Sequence, residues 1–519
     1  MIDASSAYRA AITADSRRTL LRAVVDIISP DIVYGTVASS GETAYSDSAQ
    51  LHDKVMELGT PYATLEHNRW LLDGSFSIAP PDADTQVGFE SGDLFGADGS
   101  GDLYVQMNFS GVSILQACSV YFPESDFDGW PTDFTVAVYS GATAAYSRSF
   151  TGNTARSVSL SGFTVNNPTG IRVTVTGWSL PRRRLRIPEI VPGIYELWGN
   201  GMLAEFSVVQ QADFTALSVP YGTCHLQVDN TDGRFSPRSK SGLFQSLEER
   251  QGIEIYIGPA GAEYMPLGVF YQYSGGWRTS ANGLTMNWEL VDIIGLLADR
   301  QYSVPSTLPS TLEGWVVSLV GQLGTNFSER YALSGVSGTL AMTATAEQVT
   351  GQTCGQILMW ICQAAQCFAR AAAGTGYLTL SKLWNDGNAY TLDNLDAMPA
   401  LKANKDTAFF AFTLPDGAVV TIDGTEPASA NTVSITNPFI TTAAQARSAA
   451  AWMLQFYGGN QIETSGRGDP SSEIGDEATV EFGAGDTERG RIMYQSFQIQ
   501  SGVMQKCQTR FLQMEVIGE

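Results

Sequence analysis

The sequence predicts a mainly β protein with a few helices, an α+β chain in class. Two observations carry that prediction. Short stretches rich in β-branched and aromatic residues recur, broken by turn residues roughly every 8–12 positions. Gly is abundant at 52 residues and aromatics make up 10%, a mixture that suits sheets and turns better than helices.

Taken in order, residues 16–40, "SRRTLLRAVVDIISPDIVYGTVASS", alternate and read as strands after a polar arm. "HNRWLLDGSF" (67–76) closes that segment, and acidic, Gly-rich sequence follows to 102. From Leu103 to Ile190 short strands succeed one another with the rhythm of a β-sandwich. Residues 200–300 read as further strands, the last being "TMNWELVDIIGLL". Helices are expected at 309–324, which opens on Pro-Ser-Thr, and at 350–374, which is Ala-rich and stops at Gly374. Strands resume with "YLTLSKLW". A helix at 441–459 sets Trp452 over Phe456 and Met453 over Tyr457 at a spacing of four, then stops at Gly458 and Gly459. Strands fill 477–519.

With 44% hydrophobic and 16% charged residues, the 519-residue chain can bury several cores, about three to five domains at ~100–150 residues each. No run approaches the ~18 apolar residues that a membrane span needs. The start, "MIDASSAYRAAITADSRR", has no apolar signal core, so a soluble chain made in a cytoplasm is expected. A net charge of −23 repels phosphates and argues against a grip on nucleic acid.

The motifs of enzymes and metal sites are missing. His52, His67 and His225 stand at no metal-ligand spacing, and no GxSxG elbow accompanies them. Cys224 and His225 alternate within a strand, so their side chains face opposite ways. The six cysteines form no CxxC pair and read as buried free thiols. "DLFGADGSGDL" (93–103) lacks the acid pattern of a calcium loop and reads as a turn-rich lead-in to a strand. No carboxylate pair stands out among 53 acids, so no catalytic, cofactor-binding or metal-binding residue is assigned. The basic run "PRRRLRIPEI" (181–190) puts Leu185 and Ile187 on one face of a strand. Its arginines are expected on the other face, paired with local acids. Arg467-Gly468-Asp469-Pro470, which contains an adhesion tripeptide, reads as a turn among Gly466, Gly475 and Pro470.

Several segments in order carry a resemblance. They are "VPYGTCHLQVDNTDGRFSPRSKSGLFQSLEERQGIEIYIG" (219–258), "MPLGVFYQYSGGW" (265–277), "WELVDIIGLLADRQY" (288–302), "SITNPFI", "AAAWMLQFY" and "RGDPSSEIGDEATV". Together they resemble the tail-tip baseplate hub proteins of bacteriophages, siphovirus-like prophage tails included, over roughly 190–519 and 16–76. The resemblance implies two hub β-barrel-like domains joined by helices. The expected division is an N-terminal arm and first strands (1–76), an insertion (77–190), a continued first barrel (191–302), a helical link (303–375) and a second barrel-like domain (376–519).

The insertion resembles the discoidin or galactose-binding jelly-roll, through "GFESGDLFGADGSGD", "LQACSVYFPESDFDGWPTDFTVAVYSG" and "PRRRLRIPEI". Asp126, Asp128 and Trp130 are its candidate ligand loop, because an aromatic face beside carboxylates suits a sugar. The resemblance further implies a virion protein of the tail tip, made in the bacterial host cytoplasm and acting as a homotrimer without a cofactor. Its partners would be distal tail and tube proteins, the tape-measure protein and receptor-binding proteins. DNA would pass through without specific binding, and Arg182, Arg183, Arg184 and Arg186 would lie on the outer side, away from the bore. One alternative is a carbohydrate-binding adhesin that acts on a host surface glycan through the jelly-roll. A second is a peptidoglycan hydrolase, set lower because the chain ends at Glu519 directly after the last hub strands.

Overall fold

The computed structural model describes the chain except residues 1, 15–17, 42–47, 54–57, 59–63, 65, 70–72, 74, 77–85, 237–246, 281, 383–385, 393–394, 404–407, 424–430, 484, 501–503 and 514–519. Two compact units divide it. The larger comprises Met1–Val24, Leu197–Thr231 and Gly252–Glu519; the smaller comprises Val25–Glu196 and Asp232–Gln251. The sequence boundaries drawn at 77 and 190 fall inside the smaller unit.

A 13-stranded sheet runs through the chain in the order Gly193–Gly199, Thr19–Ile28, Gly252–Pro259, Met265–Thr279, Thr285–Val291, Thr223–Asp229, Leu203–Gln211, Asp486–Gln500, Met504–Gln513, Gln461–Gly466 and Ala400–Lys402. Glu477–Gly483 and Asp386–Tyr390 branch from it. The mainly β class with a few helices holds. The two regions expected as separate barrels share this one sheet, and among the described residues it does not close. The reason is strand length. Asp486–Gln500 is long enough to pair Glu477–Gly483 with its first half and Leu203–Gln211 with its second. One strand therefore joins both regions through backbone hydrogen bonds.

The strands form where alternation predicted them. Cys224, Leu226 and Val228 are buried along Thr223–Asp229 while their neighbours are half-exposed. Trp198 stacks on Trp288 with ring centroids 5.4 Å apart. Helices Leu312–Gly321 and Cys354–Ala365 share one apolar core with Ile293–Ala298. Thr311 and Thr353 cap the first two by accepting the Gly314 and Gln356 N–H groups. Helix Ala443–Leu454, with a Thr442/Gln445 capping box, buries Ala446, Ala450 and Met453 with Phe410, Phe412 and Ile435 of a three-stranded sheet.

Three local readings change. The helix expected to reach Gly374 ends at Ala365, because Gln366 takes a left-handed φ of 56° and Cys367 N–H turns back to the Cys362 carbonyl at 3.1 Å. Phe368–Ala371 is then a strand, with Phe368 edge-on to Phe214. The run "WELVDIIGLL" breaks into strand Thr285–Val291 and helix Ile293–Ala298. Asp292 makes the break, since a short acceptor side chain favours a helix start over a continued strand. The N-terminal arm contains helix Ser6–Ile12, whose Tyr8 and Ile12 are buried with Met265.

The smaller unit contains a five-stranded antiparallel sheet in the order Val33–Ser39, Ser100–Ser110, Gly170–Trp178, Pro131–Ser140, Thr143–Phe150. A three-stranded sheet orders Glu189–Val191, Ile114–Tyr121 and Ser157–Asn166. Each buries one row, Val105, Met107, Val136 and Val173 in the first and Leu115, Cys118, Leu160 and Val165 in the second. Phe134 meets Phe122 at 5.1 Å and Tyr146 meets Phe163 at 4.1 Å, so the layers pack as a β-sandwich. Arg184–Ile187 pairs with Phe89–Leu94 beside them.

Asp292 generates a test. It is 5% exposed, and its carboxylate accepts the Gly295 N–H at 2.9 Å and the Gly222 N–H at 2.6 Å. Burial pushes its carboxyl up to about 6, against the pull of these backbone N–H groups. A folded pKa above the unfolded one (~3.9) stabilises most below pH ~4, and that increment is lost as pH rises through about 6. The increment is on the order of 3 kcal/mol, from about two pKa units. Asp292→Asn sets an amide NH₂ against one of the N–H donors. It should lower stability at pH 4 by about 1–3 kcal/mol and flatten this part of the pH dependence between 4 and 6.5. Urea midpoints of both proteins across that range provide the check; parallel curves would refute the assignment.

Candidate functional site

The candidate ligand loop lies in Phe122–Trp130, between strands Ile114–Tyr121 and Pro131–Ser140. Its three residues part company. Asp126 is exposed and pairs with Arg156. The Arg156 guanidinium sits 4.0 Å over the Trp130 ring and also donates to the Pro123 carbonyl at 3.0 Å. Trp130 is half-buried and its indole N–H donates to the Asn153 carbonyl at 3.1 Å. One face of the aromatic platform is thus covered by a cation. Asp128 turns inward and is 2% exposed. Gly129 allows that reversal with φ 76°, and a Cβ there would lie 2.7 Å from the Trp178 indole nitrogen.

Asp128 belongs to a buried charge network that the sequence reading did not assemble. Arg69 donates to it at 2.9 Å, and the Arg186 guanidinium lies 3.7 Å away. Arg186 is 1% exposed, donates to Glu66 at 2.9 Å through Nη1 and to Glu90 at 2.7 Å through Nη2. Arg184 is half-buried, 3.6 Å from Glu90. Arg183, also buried, donates to the Phe127 carbonyl at 2.8 Å and the Asn68 carbonyl at 3.1 Å. Arg184 and Arg186 do pair with acids, but with Glu66, Glu90 and Asp128 from distant segments and not with local ones, and Arg183 holds carbonyls instead. The correction is their placement: Leu185 and Arg186 are both buried, so the strand Arg184–Ile187 is covered on both faces, and only Arg182 is exposed. Glu66 and Arg69, together with Glu90 and Asp128, supply the charges that make this burial tolerable. Glu66 and Arg69, at spacing three, were the available signal.

Burial raises the Glu66 carboxyl, but the hydrogen bond and charge of Arg186, the Thr64 hydroxyl and the Arg184 N–H outweigh it and hold the pKa at about 2. The cluster is a set of fully engaged ion pairs. Its chemistry is structural.

In the larger unit, the turn after strand Gln461–Gly466 holds the adhesion tripeptide. Asp469 accepts from Ser471 N–H at 2.9 Å, the Ser471 hydroxyl at 2.8 Å, the Asn388 amide at 2.9 Å and the Tyr8 hydroxyl at 3.3 Å. Arg467 donates to the Ala14 carbonyl at 3.0 Å. Gly468 has φ 63°, and a Cβ there would lie 2.5 Å from Cys507 Sγ. Arg9, Thr13, Asn388, Tyr390 and Asp469 line a cavity of about 240 Å³ beside the turn. Cys224 is buried, and His225 is turned to Glu289, with Nδ1 2.8 Å from its carboxylate.

No family model and no curated protein matches the sequence. Among solved structures, the chain is similar to the 43 kDa tail protein of prophage MuSo2 from Shewanella oneidensis, at 16% identity and a TM-score of 0.42, covering 61% of this chain and 95% of that one. It is also similar to a tail protein from Neisseria meningitidis, at 10% identity and a TM-score of 0.44, covering 63% and 95%. A third is an E. coli component of the type VI secretion system described as similar to bacteriophage T4 tail proteins, at 10% identity and a TM-score of 0.40, covering 61% and 74%.

Three outcomes follow from the geometry. Arg186→Met leaves Glu66, Glu90 and Asp128 short of a cation and should destabilise the smaller unit by about 3–5 kcal/mol. Glu66→Gln should remove an acid-side dependence. The folded pKa of about 2 lies below the unfolded value, so the ion pairing stabilises above pH ~4.5 and is lost as pH falls toward 2, about 3 kcal/mol in all. Differential scanning calorimetry from pH 2 to 6 compares the variants with the parent; an unchanged acid slope in Glu66→Gln contradicts this account. Gly468→Ala, at left-handed φ and against Cys507, should cost more than ~1 kcal/mol, read as a lower unfolding temperature of the intact chain.

Proposed function

We propose that this chain is the structural hub of a phage tail tip or baseplate. It joins the tail tube to receptor-binding components and forms the conduit for DNA and the tape-measure protein. The observation that carries the reading is where the hub-like motifs fall. "WELVDIIGLLADRQY" places Asp292 at the junction of strand, loop and helix. "QVDNTDGRF" places buried Asn230 against the Gly283 carbonyl at 2.8 Å. "RGDPSSEIGDEATV" places Asp469 and Asp476 inside turns, where the Asp476 carboxylate accepts Glu473 N–H at 2.8 Å. Each motif residue is used to hold backbone, and each lies on or beside the one 13-stranded sheet. Motifs of this kind support a scaffold rather than an active site.

The scaffold acts as a homotrimer in this reading, because a closed ring of identical chains can meet a tube through one repeated surface. The smaller unit is an inserted, jelly-roll-like decoration, and the Asp126–Trp130 loop its candidate glycan contact. Burial of Arg183 and Arg186 leaves those arginines unable to grip passing phosphates. Quantitative mass spectrometry of purified particles against the tube protein, with the chain located by imaging, tests the proposal. Three copies confined to the tip are expected. Copies spread along the tube, or absent from particles, would overturn it.

A further inference from the structure

The outward face of the five-stranded sheet is defined by alternation. Leu103, Val105 and Met107 point into the sandwich, so Tyr104, Gln106 and Asn108 point out. On the neighbouring strands Arg172, Thr174, Thr135 and Tyr139 share that face and are half-exposed. Register sets Gln106 beside Arg172, and Arg172 beside Ala137.

Arg172 is held unusually firmly for a half-exposed arginine. Its Cζ lies 4.5 Å from the Tyr104 ring centroid and 4.9 Å from that of Tyr139. Its Nε donates to Gln106 Oε1 at 2.8 Å. The Gln106 amide donates to Asn108 Oδ1 at 2.7 Å, and the Asn108 amide donates to the Thr36 carbonyl at 2.8 Å. This relay orients each amide, so Gln106 presents its oxygen to Arg172. Only Nε is consumed. Among the described residues, the two terminal amino groups of Arg172 meet no carboxylate and no other acceptor. In a chain with 53 acids, its two partner strands carry Asp102, four residues or about 13 Å before the Gln106 that sits beside Arg172, and Asp133, which pairs with Gly177. That position is five residues from Arg172, about 16 Å at the rise of a strand.

A guanidinium with Nε fixed and both Nη groups free is the geometry that takes an oxyanion. Its two tyrosine neighbours and the amide relay already restrict its rotamers, so little freedom remains to be lost on binding. The surroundings are neutral hydrogen-bonding groups, Gln106, Asn108, Thr135, Thr174 and Ser149, with Thr135 and Ser149 hydroxyls 2.8 Å apart. They match hydroxyl-rich ligands better than apolar peptide side chains.

We propose that this face binds an acidic saccharide, with the Arg172 terminal amino groups taking its carboxylate and the amide and hydroxyl row taking its hydroxyl groups. The site is separate from the Asp126–Trp130 loop and does not rest on the hub reading. Long-range repulsion from the net charge of −23 is screened within ~8 Å at physiological salt, so the contact is short-range and carboxylate-specific.

The test uses the intact chain in isothermal titrations with oligogalacturonate and sialyllactose. Methyl-esterified oligogalacturonate, lactose and inorganic phosphate serve as controls. At least one acidic sugar should bind, and its neutral counterpart should bind at least about tenfold more weakly. Arg172→Gln should lose binding by a similar factor. Arg172→Lys, which keeps the charge but not the fork, should lose most of it, with both variants retaining the parent's cooperative unfolding. Absence of binding by both acidic sugars at millimolar concentration overturns the proposal, as does equal binding by Arg172→Gln. Phosphate binding that depends on Arg172 without sugar binding would reassign the fork to phosphate and also overturn it.

Discussion

The backbone ladder of Asp486–Gln500 is the constraint on which the larger unit depends. One edge of this strand pairs with Met504–Gln513 along most of its length. The other is shared between Glu477–Gly483 and Leu203–Gln211, with the changeover near Ile492. At that changeover the Gly475 N–H donates to the Ile492 carbonyl and the Ile492 N–H to the Asp476 carbonyl, so both backbone groups of Ile492 are engaged where one partner gives way to the next. Segments nearly 300 positions apart in sequence become neighbours in this way. The Arg467–Asp476 turn packs beside the same place, which explains why its polar residues face inward.

Buried charge is handled in two ways. In the smaller unit, Arg186 has lost its water and recovers hydrogen bonds from Glu66 and Glu90, with Asp128 nearby. Such a network adds little net stability over a well-packed apolar core, but it tolerates few substitutions, because any single loss strands a charge. In the larger unit, Asp292 meets no cation among the described residues and relies on backbone N–H groups, so burial raises its carboxyl where Arg186 holds that of Glu66 down. These two carboxyls therefore contribute to stability with opposite dependence on acid.

A scaffold reading and a binding face are compatible. The motif residues Asp292, Asn230 and Asp469 point into the fold and are satisfied there. Arg172 is positioned at least as firmly, yet leaves donors unfilled on a half-exposed face. Satisfied polar groups hold structure, whereas unfilled ones that are held in place are available to a ligand.

Much of the fold was legible in the sequence, because alternation, capping residues and glycines act over a few positions. Thr223–Asp229 alternates as its burial does, and Thr442 with Gln445 marks a helix start. The adhesion tripeptide read correctly as a turn, since Gly468 and Pro470 constrain the backbone locally. What the sequence did not carry is which distant segments meet. Both long strands gave proper local signals, but only tertiary pairing joined the two expected barrels into one sheet. The arginines of 183–186 read as one strand face paired with local acids, because amphipathic periodicity sets charge opposite the apolar residues of the same strand. Their burial depends on Glu66, Glu90 and Asp128 arriving from elsewhere in the chain. Asp128 left the candidate ligand loop for the same reason, and Arg172 gave no local signal at all. Local sequence determined the elements; long-range pairing of backbone and charge decided which residues were consumed and which stayed free.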